Sequence, residues 1–156
     1  AEEGVGVDMS REMLAVARAR LQRADLSNCL VRQADMYQLP YPGGMFDLVT
    51  LHQVLHFAEK PEAALAEAAR VLAPGGKLVI VDFAQHEHEE LREEHAHRRL
   101  GFDDASLNAW FRANKLEPDN VISLPGKPLT VRIWAAHPAP GDVADAGEKR
   151  SEKAAE

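Results

Sequence analysis

Residues 46–83 leave a chain of this kind little choice of fold. They open with Phe46-Asp47-Leu48-Val49-Thr50-Leu51, a short apolar run with β-branched residues that suits a buried strand. In residues 61–72, Leu65, Ala68, Ala69 and Leu72 fall at i, i+3, i+4 and i+7, which makes one face of a helix apolar. Pro61 fits the first helical position, where the missing N–H would be unpaired anyway. Pro74-Gly75-Gly76 cannot continue the helix and turns the chain. Lys77-Leu78-Val79-Ile80-Val81-Asp82-Phe83 is a second apolar run. Strand, helix, turn and strand make a βαβ unit, whose strands are parallel and joined by a right-handed crossover.

The flanks extend this alternation. Gly4-Val5-Gly6-Val7-Asp8 reads as a strand, and Ser10 as the N-cap of a helix reaching Arg23. Leu14, Ala17 and Leu21 line the inner face of that helix, with Arg11, Arg18 and Gln22 outside. Residues 24–28 are a polar loop, Cys29-Leu30-Val31-Arg32-Gln33 a further strand, and 39–44 a turn-rich connection. Residues 86–99 are almost wholly charged or histidine and are read as a helix that is either solvated or caps a site. Asp103 or Asp104 caps another helix, with Leu107, Trp110 and Phe111 on one face. Strands are expected at 121–124 and 129–136, joined through Pro125-Gly126-Lys127-Pro128. In the second of them Val131, Ile133 and Ala135 alternate with Thr130, Arg132 and Trp134. From Pro138 onward Ala, Pro, Gly, Glu and Lys dominate without periodicity, so 138–156 is expected to be a disordered tail. The pattern is α/β: a Rossmann-like open sheet of mostly parallel strands with a C-terminal antiparallel hairpin.

Charge and cysteine content narrow the function classes. A net charge of −7 argues against a surface for nucleic acid or an anionic membrane. The single cysteine, Cys29, excludes an internal disulfide framework and suits a cytoplasmic protein. No apolar run is long enough for a membrane span, and Ala1-Glu2-Glu3 is not the basic start of a signal peptide.

In open α/β sheets, ligands bind at the carboxyl ends of the strands. Asp8 ends one strand, and a carboxylate there can accept both hydroxyls of a ribose; the competing role is to cap the next helix. Met9 beside it is a flexible thioether, a side chain that packs well on a flat ring. Asp35 and Met36 follow the next strand, where Asp35 could equally be an Asx-turn residue. Thr50, Leu51 and His52 end the first strand of the βαβ unit. His52 and His56 are the nearest candidates for acid–base work, because imidazole titrates near neutral pH. His86, His88, His95 and His97 invite a metal reading. His88 and His95 are seven residues apart and flanked by Arg92 and Arg99, which would oppose a cation, so no metal site is expected.

The order Phe-Asp-Leu-Val, Leu55-His56, the 63–72 helix and Pro-Gly-Gly-Lys-Leu-Val-Ile, with Gly6-Val7-Asp8-Met9-Ser10 and Met13-Leu14 upstream, resembles the class I S-adenosylmethionine-dependent methyltransferases over residues 4–137. The resemblance implies that S-adenosylmethionine is the cofactor and that a methyl group passes to a small-molecule acceptor. It assigns Asp8 to the ribose, Met9 and Met36 to the adenine ring, Asp35 to the adenine amino group, and Thr50 and Leu51 to the methionine part. The family's first strand and glycine-rich loop would precede Gly4, and no Gly-x-Gly-x-Gly occurs. The expectation is therefore a partial domain, 1–137, that depends on an upstream segment or a second copy for stability and activity. Residues 82–110 are also similar to methyltransferase-like domains that follow an ArsR-type winged helix. This gives an alternative: a sensor domain that binds S-adenosylmethionine or S-adenosylhomocysteine to control a transcriptional regulator.

Overall fold

In a computed structural model, residues 2–91 and 97–139 are described; the element order is β1 (Gly4–Asp8), α1 (Arg11–Arg23), β2 (Cys29–Gln33), β3 (Phe46–His52), a 3-10 turn (Leu55–Phe57), α2 (Pro61–Val71), β4 (Leu72–Phe83), α3 (Asp104–Ala113), β5 (Leu116–Pro118), β6 (Ile122–Leu124) and β7 (Val131–Pro138). Contacts divide the chain into two compact units, the first ending at Pro40 and the second beginning at Tyr41.

The first unit pairs β1 with β2 in parallel, from Gly4 opposite Cys29 to Asp8 opposite Gln33. Helix α1 connects them. Ser10 caps it as expected, its Oγ accepting from the Met13 N–H at 3.2 Å. Leu14 is its one fully buried side chain. Ala17 and Leu21 are half-buried.

The second unit is a five-stranded sheet in which β3, β4, β7 and β5 lie in that order, with β6 also paired to β7. Strands β3 and β4 are parallel, and every pairing of β7 is antiparallel. The βαβ unit is thus present. Helix α2 starts at Pro61 and buries Ala64, Leu65, Ala68 and Val71. Its last carbonyls accept from the Gly44 and Met45 N–H groups. The expected Pro-Gly-Gly turn lies inside β4: the ladder passes from Phe46 opposite Leu72 to Leu48 opposite Lys77. The extra residues bulge out at Gly75, whose φ of +78° suits glycine.

Four readings need correction. Strand β3 is an edge strand of its sheet, paired only with β4, and Leu48 is 58% exposed, so it is not a buried strand within that sheet. The last strand runs from Val131 to Pro138 and not 129–136, so Pro138 belongs to it; the tail beyond Ala139 lies outside the described residues. Its buried face is Trp134 and Ala136, opposite Ile80 and Leu78. Period-two alternation could not choose between two partly apolar faces. Trp134 is accepted inside because its indole N–H reaches Asp104 Oδ1 at 2.7 Å, where Arg132 also donates. Finally, residues 85–88 are irregular, not helical: Gln85 N–H donates to Phe102 O and His86 N–H to Leu100 O, while His88 N–H donates to His86 Nδ1. His95 and Arg92 lie outside the described residues. The three-residue strand β5 was not foreseen.

Helix α3 is capped by Asp103, which accepts from the Ser106 N–H at 2.8 Å and its hydroxyl at 2.7 Å. Leu107 and Phe111 are buried, whereas Trp110 is only half-buried. Asp103→Ala should cost about 1 kcal/mol of stability in urea unfolding, the usual value of such a cap; an unchanged midpoint would contradict this.

Candidate functional site

In the first unit, Asp8 and Asp35 stand at the same, carboxyl edge of two parallel strands, since Asp8 lies opposite Gln33. Both are exposed. Asp8 Oδ1 accepts from the Ser10 N–H at 2.8 Å, and its second oxygen has no partner among the described residues. Asp8 therefore helps to shape the helix entry while Ser10 provides the cap, and it still presents a carboxylate oxygen. Asp35 does form the Asx-type turn, its Oδ1 accepting from the Tyr37 N–H at 2.9 Å, and a bridge to Gln38 closes that loop. Gln33 Nε2 donates to the Met9 carbonyl at 3.0 Å, which ties the two strand ends together. Met9 is 58% exposed, a large apolar surface beside the carboxylate. Two exposed acceptor groups and a thioether on one edge suit the hydroxyls and ring of a nucleoside.

In the second unit, Thr50 and His52 are exposed at the end of β3 and Leu51 is half-buried. Gln53 follows with φ +53°, an uncommon conformation for a non-glycine residue, and its N–H donates to Val81 O. What holds this loop is a residue the sequence reading passed over. Asp82 is fully buried, on the same strand face as Leu78 and Ile80. Its Oδ2 accepts from the Leu55 and His56 N–H groups at 3.1 and 3.3 Å; its Oδ1 meets His56 Nδ1 at 2.7 Å and the Phe83 N–H at 2.8 Å. The 3-10 turn at Leu55 has no local side-chain cap, so this distant carboxylate supplies it. Four donors around one carboxylate leave it as an acceptor, so His56 carries its proton on Nδ1. The His56 ring packs against Phe57, His97 and Phe83 at 4.0, 4.3 and 5.1 Å between centroids, and its carbonyl accepts from the Arg98 and Arg99 N–H groups. At 2% exposure His56 anchors the loop, and His52 is the imidazole that solvent reaches. The signal for Asp82 was legible: a charge at a period-two core position in an apolar strand. Among the described residues no cluster of three ligating side chains could hold a metal ion, and no helix is long and apolar enough to cross a membrane.

A family model described as "Methyltransferase domain" matches residues 1–80. The chain belongs to the methyltransferase domain family. Methyltransferases of this class use S-adenosylmethionine as their cofactor. The chain is 40% identical over 80 residues to an uncharacterized methyltransferase of Schizosaccharomyces pombe, covering 47% of this chain and 29% of that protein. It is 38% identical over 92 residues to the ubiquinone/menaquinone biosynthesis C-methyltransferase UbiE of Shewanella oneidensis, covering 58% and 37%. The chain thus spans about a third of the length of these curated relatives. Among solved structures, YcgJ of Bacillus subtilis superposes with a TM-score of 0.73 at 21% identity, over 88% of this chain and 83% of that one. A geranyl diphosphate methyltransferase in complex with SAM gives 0.72 at 14% identity, over 88% and 69%. At these identities the structural likeness shows the fold, which is the Rossmann-like α/β arrangement of that family.

Proposed function

We propose that the protein works as a methyltransferase that takes its methyl group from S-adenosylmethionine and passes it to a small-molecule acceptor. The observation that carries the reading is the exposed Asp8 carboxylate, with an unpartnered oxygen, at the carboxyl end of β1. In this reading Asp8 accepts the ribose hydroxyls, Asp35 the adenine amino group, and Met9 and Met36 lie against the adenine ring. Thr50 and Leu51 take the methionine part. The cofactor supplies a methyl on a sulfonium, already activated toward a nucleophile, so the protein's task is mostly to position. Relatives whose names refer to ubiquinone/menaquinone biosynthesis and to geranyl diphosphate support an acceptor that is a small molecule.

Where the acceptor must lose a proton, our candidate for taking it is His52, and its exposure beside Thr50 and Leu51 supports that reading. His56 acts as a positioning residue through Asp82. The test uses methyl-labelled S-adenosylmethionine with a panel of phenols, amines and carboxylic acids, following label into the acceptor. Transfer to at least one acceptor is expected, and His52→Ala should lower kcat about 100-fold or more with an acceptor that must lose a proton. Bound cofactor with no transfer to any acceptor would contradict the enzyme reading, and an unchanged kcat would remove His52 from it.

A further inference from the structure

The sheet of the second unit has two faces, and they differ in cover. Leu78, Ile80, Trp134 and Ala136 are buried on the side where α2 and α3 pack. The strand register fixes what lies on the other side. Val79 stands opposite Ala135, Val81 opposite Ile133, and Ile133 also opposite Ile122, with Leu124 on the same face of β6. On β3, Thr50 and His52 border this set beside Val79 and Val81. Val79, Val81, Ile133 and Ala135 are half-buried, Ile122 is 55% exposed and Leu124 49% exposed. Six apolar side chains on three adjacent strands thus form one continuous surface that water reaches. A single exposed leucine is ordinary, but a continuous apolar patch marks an interaction surface. A sheet can leave one face to water, yet that face is then normally polar.

Charge and size decide what covers the patch. No charged residue lies within it. The charged groups at its end already pair with each other: Lys77 Nζ is 2.9 Å from Asp119 Oδ2, and His137 Nδ1 is 3.0 Å from Asp119 Oδ1. A strongly acidic or basic partner therefore gains nothing here. Residues 140–156 of the chain hold one large aliphatic side chain, Val143, too little to dress the patch. What fits is an uncharged apolar face of equal extent, and every copy of the chain carries one. Two sheets stack face to face about 10 Å apart, and a two-fold axis brings the same patch of each copy together. With the bordering β3, the face spans four strands at about 4.8 Å spacing and about five residues at about 3.3 Å rise, a footprint of roughly 300 Å². Each partner of a standard interface gives about 800 Å², so the association should be reversible and micromolar.

We propose that this open sheet face is where two copies of the chain meet, sheet against sheet, with Ile122, Leu124 and Ile133 at the centre of the contact.

The test is analytical ultracentrifugation of the full chain across the micromolar range, with circular dichroism as the fold control. The sedimenting mass is expected to rise from one chain to two and to stop there. Added salt should tighten the dimer, because two chains of net charge −7 repel each other and no ion pair is needed across the contact. Ile122→Glu and Leu124→Glu change side chains that are already exposed, so the fold should hold. Each should weaken the dimer at least about 10-fold, since two new carboxylates would be buried per dimer. Val16→Glu adds the same charge to α1, where Val16 is 44% exposed, and should leave the association unchanged. The proposal is overturned by a folded chain that stays monomeric throughout, by mass that climbs past two chains, by association that Ile122→Glu and Leu124→Glu leave intact, or by an equal loss in Val16→Glu. A monomer that instead binds phosphatidylcholine vesicles would assign the face to lipid and overturn it as well. No readout needs a bound nucleoside or methyl transfer, so the outcome is independent of the methyltransferase reading.

Discussion

Asp82→Ala is expected to lower the unfolding free energy of the second unit by about 3–5 kcal/mol, because it leaves several buried donors without an acceptor. The carboxylate is fully buried and takes four donors: the Leu55, His56 and Phe83 N–H groups and His56 Nδ1. Alanine leaves all four in the interior without an acceptor, each at a cost of about 1–3 kcal/mol before relaxation. It also releases the 3-10 turn that follows β3, which has no local cap. Tryptophan emission in urea is a suitable readout, because both tryptophans, Trp110 and Trp134, lie in this unit. Asp82→Asn keeps the shape and one acceptor oxygen, and should fall between. A loss below about 1 kcal/mol for Asp82→Ala would mean that water or a shifted loop replaces the carboxylate.

Gly101→Ala is expected to be nearly as damaging, about 3 kcal/mol or more, by a different mechanism. Gly101 has φ +76°, and a Cβ there would lie 2.2 Å from the Ala84 carbonyl oxygen and 2.8 Å from that of Phe83. Backbone cannot step aside as a side chain can, so residues 84–86 and 100–102 would have to part. That movement breaks the bonds from Gln85 N–H to Phe102 O, from His86 N–H to Leu100 O and from Phe102 N–H to Phe83 O. Gly75→Ala is the control: φ is +78° but nothing lies within 4 Å of the new Cβ. Its cost should be about 1 kcal/mol, the conformational part alone. The difference between the two variants, read in the same urea experiment, measures the clash. Equal losses would show that the 100–102 segment yields freely.

Much of this architecture was legible because local chemistry and tertiary packing agree. The strands Gly4–Asp8 and Cys29–Gln33 and the helix Arg11–Arg23 begin and end where the sequence places them, since Ser10 caps and the apolar periods are short and clean. Helix α2 is legible for the same reason, with Pro61 at its start. What stayed hidden depends on partners far along the chain. At Asp82 the sequence shows a charge inside an apolar strand but not its partner, a turn 26 and 27 residues earlier. Trp134 faces inward because Asp104, thirty residues away, accepts its indole proton. Gln85 and His86 are helix-compatible residues, yet their backbone N–H groups bond Phe102 and Leu100, a choice no local propensity records. Of the site residues, Asp8 and Asp35 could be placed at strand ends from sequence. That His52 is open and His56 closed could not, because burial is decided by Phe57, Phe83 and His97 together.

If the Asp8 edge binds the nucleoside of S-adenosylmethionine, calorimetric titration of S-adenosylhomocysteine into the chain and into Asp8→Ala will show it. A carboxylate accepting two ribose hydroxyls contributes about 1.5–3 kcal/mol per bond, so Asp8→Ala should weaken binding by about 100-fold or more with the fold unchanged. Saturable binding that Asp8→Ala abolishes is the predicted result. A folded chain that does not bind the nucleoside, or that binds it equally well without the Asp8 carboxylate, would contradict the account.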